Sequence, residues 1–342
     1  MDAAEAGAAD RGTAGAYTAA GFTRDIHIMQ FRNLGRSGLQ VSLVGVGCNN
    51  FGQRLDQAGT DAVVHAALDA GITLFDTADI YGGRGKSEEF LGKSLGARRK
   101  DIVLASKFGM RMADGPYGIG AARWYIMHAV EASLRRLGTD WIDLYQLHQP
   151  DPLTPIEETL RALDDLIRQG KVRYIGHSNF TAWQTVEAEL TAEMHGLNAF
   201  VSAQDEYSLA MRDLEDDRLD MMEKYDLGLL PFFPLASGLL TGKHGDKPLA
   251  GTRMADSNRF TDRYWTDGNL AMVRELTAFA RERGRSMLDL AMSWLAARPQ
   301  VSSVIAGAMS PEQIQGNAVA CDWTMSEEEL AAIDEIWTRT HS

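Results

Sequence analysis

From residue 30 onward the chain alternates two kinds of apolar pattern. Short runs in which nearly every side chain is apolar or β-branched occupy residues 43–47, 72–76, 102–106 and 142–147, and again 172–176, 200–204, 228–232 and 301–305. Unbroken apolar runs of this length suit a parallel sheet covered on both faces. Between them, apolar positions recur at helical spacing over residues 60–70, 87–95, 123–137, 155–169, 182–194, 216–225 and 286–297, with 311–319 after the last run. Such strand–helix units, eight in succession, predict an α/β fold of the (β/α)8 TIM barrel type. An open dinucleotide-binding sheet would carry a glycine-rich fingerprint after its first strand, and none stands there.

Three segments fall outside the eightfold rhythm. Residues 31–42 read as a hairpin turning near Arg36, Ser37 and Gly38, placed to cap the barrel floor. The stretch from Pro234 to about Gly268, continued by a helix to Arg281, is a long loop after strand seven, of the kind that forms lids. An extra helix spans residues 326–338. Residues 1–28 are Ala/Gly-rich without an apolar period, so they read as a disordered extension, leaving 29–342 as a single barrel domain.

Composition narrows the function. The chain has 342 residues, 45% of them hydrophobic, which is ordinary for a globular protein with a large core. Its 34 Lys+Arg against 47 Asp+Glu leave a net charge of -13, which argues against nucleic acid as a partner. No apolar stretch approaches the roughly 20 residues of a membrane span. Cys48 and Cys321 are the only cysteines, too few for a disulfide framework or a Cys-rich metal site, so a reducing cytoplasm is expected.

In a barrel of this kind chemistry gathers at the C-terminal ends of the strands. Reading those ends in order yields Asp76 after strand two, Tyr81 in its loop, Lys107 after strand three and His148 after strand four. Each alone has an ordinary structural reading, as a turn cap, a loop aromatic, a solvated cation and a core histidine. Together, at one mouth, they describe a proton donor with its supports. An ammonium beside a phenol lowers the phenol's pKa from about 10, a carboxylate holds that ammonium in place, and an imidazole can orient a substrate oxygen. No metal-ligating cluster or nucleophilic Ser or Cys accompanies them. The set suits carbonyl reduction with hydride supplied by a cofactor.

These motifs, DTADIYG, LASKFG and LYQLHQP, resemble the aldo-keto reductase family, in the branch of bacterial reductases and potassium-channel beta subunits, over about residues 31–337. The resemblance implies a catalytic tetrad of Asp76, Tyr81, Lys107 and His148, NADP(H) as cofactor and a small-molecule carbonyl as substrate. It also implies cofactor contacts: Asp76, Ser178, Asn179 and Gln204 at the nicotinamide, Phe232 stacking on it, and Pro234, Leu235, Ser237, Lys243 and Arg253 in a loop over the pyrophosphate. Gly307, Met309, Gln313 and Asn317 fall at the adenosine end, where Ser310-Pro311 reads as a helix start with free amides for a phosphate. Cys48 and Asn49 match contacts at strand one. Met309 stands where many members carry a polar or basic group, so the implied preference for NADPH is modest. Phe51, Met110 and Trp265 are candidates for the substrate pocket, while substrate and oligomeric state stay open. The alternative is a cofactor-binding regulatory subunit or redox sensor with slow turnover.

Overall fold

The computed structural model describes residues 29–245 and 247–341. The extension expected over residues 1–28 lies outside them. The chain enters through a hairpin of β1 (Phe31–Asn33) and β2 (Gln40–Ser42), then runs β3 (Val44–Gly47), α1 (Gln57–Asp69), β4 (Leu74–Asp76), the one-turn α2 (Tyr81–Arg84) and α3 (Lys86–Leu95). There follow β5 (Val103–Phe108), α4 (Arg123–Leu137), β6 (Ile142–Leu147), α5 (Ile156–Arg168), β7 (Val172–Ser178), α6 (Ala182–His195), β8 (Ser202–Gln204), α7 (Arg218–Tyr225) and β9 (Gly228–Leu229). The long loop holds α8 (Asn258–Tyr264) and leads into α9 (Asp267–Glu282) and α10 (Met287–Ala296); β10 (Val304–Gly307), α11 (Pro311–Val319) and α12 (Glu327–Thr340) complete the order.

Strands β3 to β10 form one parallel sheet in the order β10-β3-β4-β5-β6-β7-β8-β9. It closes on itself where Leu229 bridges Val301, with Leu229 N–H donating to Gln300 O at 2.7 Å and Ser302 N–H to Leu229 O at 2.9 Å. This is the predicted (β/α)8 barrel. Closure leaves no unpaired sheet edge, and the flanking helices cover the outer face with the main apolar core.

A second, smaller cluster fills the barrel interior: Leu74, Val103, Ala105, Leu144, Leu230 and Ile305, plugged from below by Leu34 and Val41 of the hairpin. The hairpin thus caps the floor. Arg32 fastens it by donating to the carbonyls of Ala296 and Val301 at 2.6 and 2.7 Å. Gly35 is required there, since at φ +52° an added Cβ would lie 2.5 Å from Val201 O.

Boundaries shift where backbone hydrogen bonds are taken or missing. β4 starts at Leu74 rather than 72, because the Ser42 hydroxyl already accepts the N–H groups of Thr73 and Leu74. β9 stops at Leu229 rather than 232: Pro231 has no N–H for the ladder, and Phe232 pairs only through a bridge to Glu206. The long loop carries α8, which the sequence reading did not anticipate. It is tied down at three points: Arg253 donates to Asn50 Oδ1 at 2.6 Å, Arg54 pairs with Asp256 at 2.8 Å, and Glu206 holds Arg263 at 2.6 Å and the Tyr264 hydroxyl. Among the described residues no helix is long and apolar enough to cross a membrane.

Candidate active site

Side chains alternate across a strand, so counting by two from the apolar interior layer locates the groups above it. Leu74 leads to Asp76, Ala105 to Lys107, and Leu144 to Gln146. These three form a polar layer at the C-terminal end of the barrel, and Gln204 at the end of β8 joins them. Lys107 Nζ donates to Asp76 Oδ2 at 2.6 Å, to Thr77 O at 3.0 Å and to the Tyr81 hydroxyl at 3.4 Å, which uses all three ammonium protons. Asp76 Oδ1 accepts from Gln146 Nε2 at 3.1 Å and Gln204 Nε2 at 2.9 Å. Lys107 is 0% and Asp76 2% exposed, so this saturation is what makes a buried ion pair tolerable.

Gln146 was missed by the sequence reading. The signal was present, since it lies two residues beyond the interior-facing Leu144 and opposite Lys107 in the β5–β6 register.

Tyr81 reaches the layer through a turn that requires glycine at position 82. Gly82 and Gly83 sit at φ +68° and +76°, and a Cβ on Gly82 would fall 2.6 Å from Phe51 O. The Tyr81 ring lies with the Lys107 ammonium 4.9 Å from its centroid, and His148 packs edge-on at 5.6 Å. Burial pushes the Tyr81 phenol up, Lys107 pulls it back and Asp76 pushes it up again; the net direction is above the ordinary value. This corrects the expectation of a lowered pKa. The phenol stays protonated at neutral pH. Burial also pulls Lys107 down, but Asp76 and then Tyr81 outweigh it, and the ammonium persists. His148 is pushed down to about 3 by burial and by Lys107, so it is a neutral imidazole, with Nδ1 buried and unpartnered.

Asp76, Tyr81 and His148 open onto a cavity of about 960 Å³. Its wall takes Asn49 from the loop after β3, Ser178 and Asn179 from the end of β7, and Gln204. Phe232, Pro234, Leu235, Ser237, Lys243 and Arg253 form the lid side, and Gly307, Met309, Gln313 and Asn317 the far end. The structure therefore gathers nearly all the sequence-derived candidates around one space. Cys48 is one exception. Its thiol is fully buried, points to Val46 O at 3.5 Å and is held well above the ordinary thiol range by burial, away from the cavity. Lys107 lies beneath the floor of the cavity rather than in its wall. Phe51, Met110 and Trp265 do not line it either; Phe51 is core, and Trp265 packs edge-on against His244. Two cations that the sequence reading passed over, Arg54 and Arg259, do line it, as does Glu312.

Several of these groups are held by their neighbours. Ser178 Oγ donates to Gln204 O at 2.6 Å, and Asn179 Nδ2 donates to His148 O and to Ser178 Oγ, each at 2.9 Å. Along the lid, Ala236, Ser237 and Gly238 have φ of +44°, +55° and +101°, and the Ala236 and Gly238 N–H groups are taken by Phe233 O and Leu235 O, each at 2.8 Å. The Ser237 hydroxyl is buried there without a partner. At the start of α11 the amides are less free than expected: Met309 N–H donates to Gln313 Oε1 at 2.8 Å, and Gln313 N–H to the Ser310 cap at 3.4 Å.

Residues 43–338 match the Aldo/keto reductase family. A probable voltage-gated potassium channel subunit beta from Oryza sativa subsp. japonica is 40% identical over 86% of this chain and 92% of its own. An L-glyceraldehyde 3-phosphate reductase from Escherichia coli (strain K12) is 35% identical over 90% and 92%, and the aldo-keto reductase YhdN from Bacillus subtilis (strain 168) 33% identical over 92% and 95%. With these matches spanning the barrel and its mouth, the chain belongs to the aldo/keto reductase family, oxidoreductases that act on small-molecule carbonyl compounds.

Proposed function

We propose that this protein is an NADP(H)-dependent carbonyl reductase in which Tyr81 gives the proton to the carbonyl oxygen. The observation that carries the reading is the Lys107 ammonium, fully buried between the Asp76 carboxylate at 2.6 Å and the Tyr81 hydroxyl at 3.4 Å, under a cavity large enough for a dinucleotide. The reduced nicotinamide, when bound, supplies the hydride. Tyr81, protonated at neutral pH, hydrogen-bonds the carbonyl oxygen and hands over its proton as negative charge develops there. Lys107 then faces the phenolate and stabilises it. His148, neutral and with Nδ1 enclosed, offers Nε2 to the same oxygen and fixes the carbonyl's orientation.

The residues fit the cofactor. The orphaned Ser237 hydroxyl suits the pyrophosphate, and Lys243, Arg253, Arg54 and Arg259 bring positive charge to the same wall. The far end has the neutral Met309 and the acidic Glu312, so preference for NADPH over NADH is modest, about ten- to a hundredfold in dissociation constant.

A second reading, a cofactor-holding regulatory subunit with slow turnover, is favoured by the names of the rice, Arabidopsis and fission yeast relatives. NADPH oxidation against a panel of aromatic aldehydes, dicarbonyls and sugars separates the two. Sustained multiple turnover with any of them supports the reductase; a single burst followed by arrest supports the regulatory subunit.

A further inference from the structure

Asp205 follows Gln204 directly, is 1% exposed, and touches neither the cavity nor the four central groups. Its Oδ1 accepts the Asn179 N–H at 2.9 Å, the shorter arm of a shared bond whose other acceptor is Gln204 O at 3.3 Å, while Oδ2 is buried with no partner. Asp205 anchors Asn179 at φ +62°, in the left-handed region that asparagine enters more readily than other non-glycine residues but still at some cost. In that conformation its side-chain amide spans from Ser178 Oγ to His148 O. The same Asp205 receives the Phe232 N–H on its backbone carbonyl at 3.0 Å. One residue thus fixes the backbone at two points of the cavity wall, and through Asn179 it fixes the peptide that carries His148.

We infer that Asp205 is a positioning residue that holds Asn179 in its left-handed conformation and thereby sets the geometry of the nicotinamide end of the cavity. The inference rests on the reductase reading above. A buried carboxylate with one oxygen unpaired is costly, and the charge-assisted bond it makes to the left-handed Asn179 is what it returns for that cost. Burial pushes the Asp205 carboxyl up to about 6, against the pull of Arg218 at the start of α7 and of the Asn179 N–H. The two histidines nearest in the chain to this network, His148 and His177, are both held neutral by burial and add no charge. Below that value Asp205 is protonated and its grip on the amide weakens.

The test is a double-mutant cycle read by NADPH binding, followed as quenching of protein fluorescence, with folding checked by melting temperature. Asp205→Asn, nearly isosteric, weakens NADPH about tenfold at pH 7.5. In an Asn179→Gly background, where the backbone needs no anchor, the same change costs about twofold or less, because the two act through one another. Wild-type affinity also falls as pH drops through about 6 relative to Asp205→Asn, a comparison in which titration of the cofactor's own phosphate cancels. Asp205→Ser serves as the second variant if Asn destabilises the fold. Equal costs in both backgrounds, or parallel pH curves for wild type and variant, overturn the inference alone. A wild type that shows no quenching overturns the reductase reading and this inference with it.

Discussion

At the scale of single residues, Lys107 and Asp79 illustrate opposite fates of buried charge. Lys107 is fully compensated, so Lys107→Met leaves Asp76 a buried carboxylate with only two amide partners and Tyr81 without its cation. The expected outcome is a large loss of turnover together with a stability loss of about 3–5 kcal/mol, read by chemical denaturation; wild-type stability would mean the pair is solvated. Asp79 is the reverse case, 1% exposed and in no salt bridge among the described residues, and burial followed by the nearby Glu88 pushes it up to about 8. In the folded state it keeps its proton from its ordinary value of 3.8 up to that point, whereas the unfolded chain has lost it. The folded state therefore binds more protons in this window, and stability falls as pH rises through it. Asp79→Asn removes that slope, so its stability relative to wild type should grow by about 3–4 kcal/mol between pH 5 and pH 8. A constant difference across that range would contradict the assignment. The catalytic candidates Asp76, Tyr81, Lys107 and His148 were legible because strand-end position is readable in one dimension. Gln146 and Asp205 were not singled out, because their roles depend on which neighbour they face.

At the scale of elements, helices with clear punctuation were read to the residue. α4 and α11 match their expected spans, the first ending at Gly138 in a left-handed cap and the second opening on Ser310-Pro311. Strand ends were read less well where a side chain or a proline intercepts the ladder, as Ser42 and Pro231 do. The α11 start carries the cofactor prediction. Its Met309 and Gln313 amides are already taken, and no cation of this segment lines the cavity, so its grip on a second phosphate is weak. Met309→Arg should tighten NADPH about tenfold while leaving NADH unchanged, as measured by parallel titrations. Equal tightening of both would place the new arginine away from any 2′-phosphate.

At the scale of the whole molecule, the barrel was legible because eight apolar runs alternate with helical periods, and a parallel sheet of that kind closes with its strand ends at one mouth. The lid was legible only as length; its course depends on distant ties, Arg253 to Asn50 and Arg54 to Asp256, that no local pattern announces. The net charge of -13 sits on a molecule whose main cavity is nonetheless lined by Arg54, Lys243, Arg253 and Arg259, a local reversal that fits an anionic ligand. On the proposed function, this cavity reduces carbonyls with Tyr81 as proton donor. The most direct measurement is the steady-state rate of NADPH oxidation with an aldehyde that the wild type turns over, compared with Tyr81→Phe, with NADPH affinity of both taken by fluorescence quenching. Near-equal affinity is expected, with a kcat lower by about 10²- to 10⁴-fold in the variant. Undiminished turnover in Tyr81→Phe would contradict the proposed function.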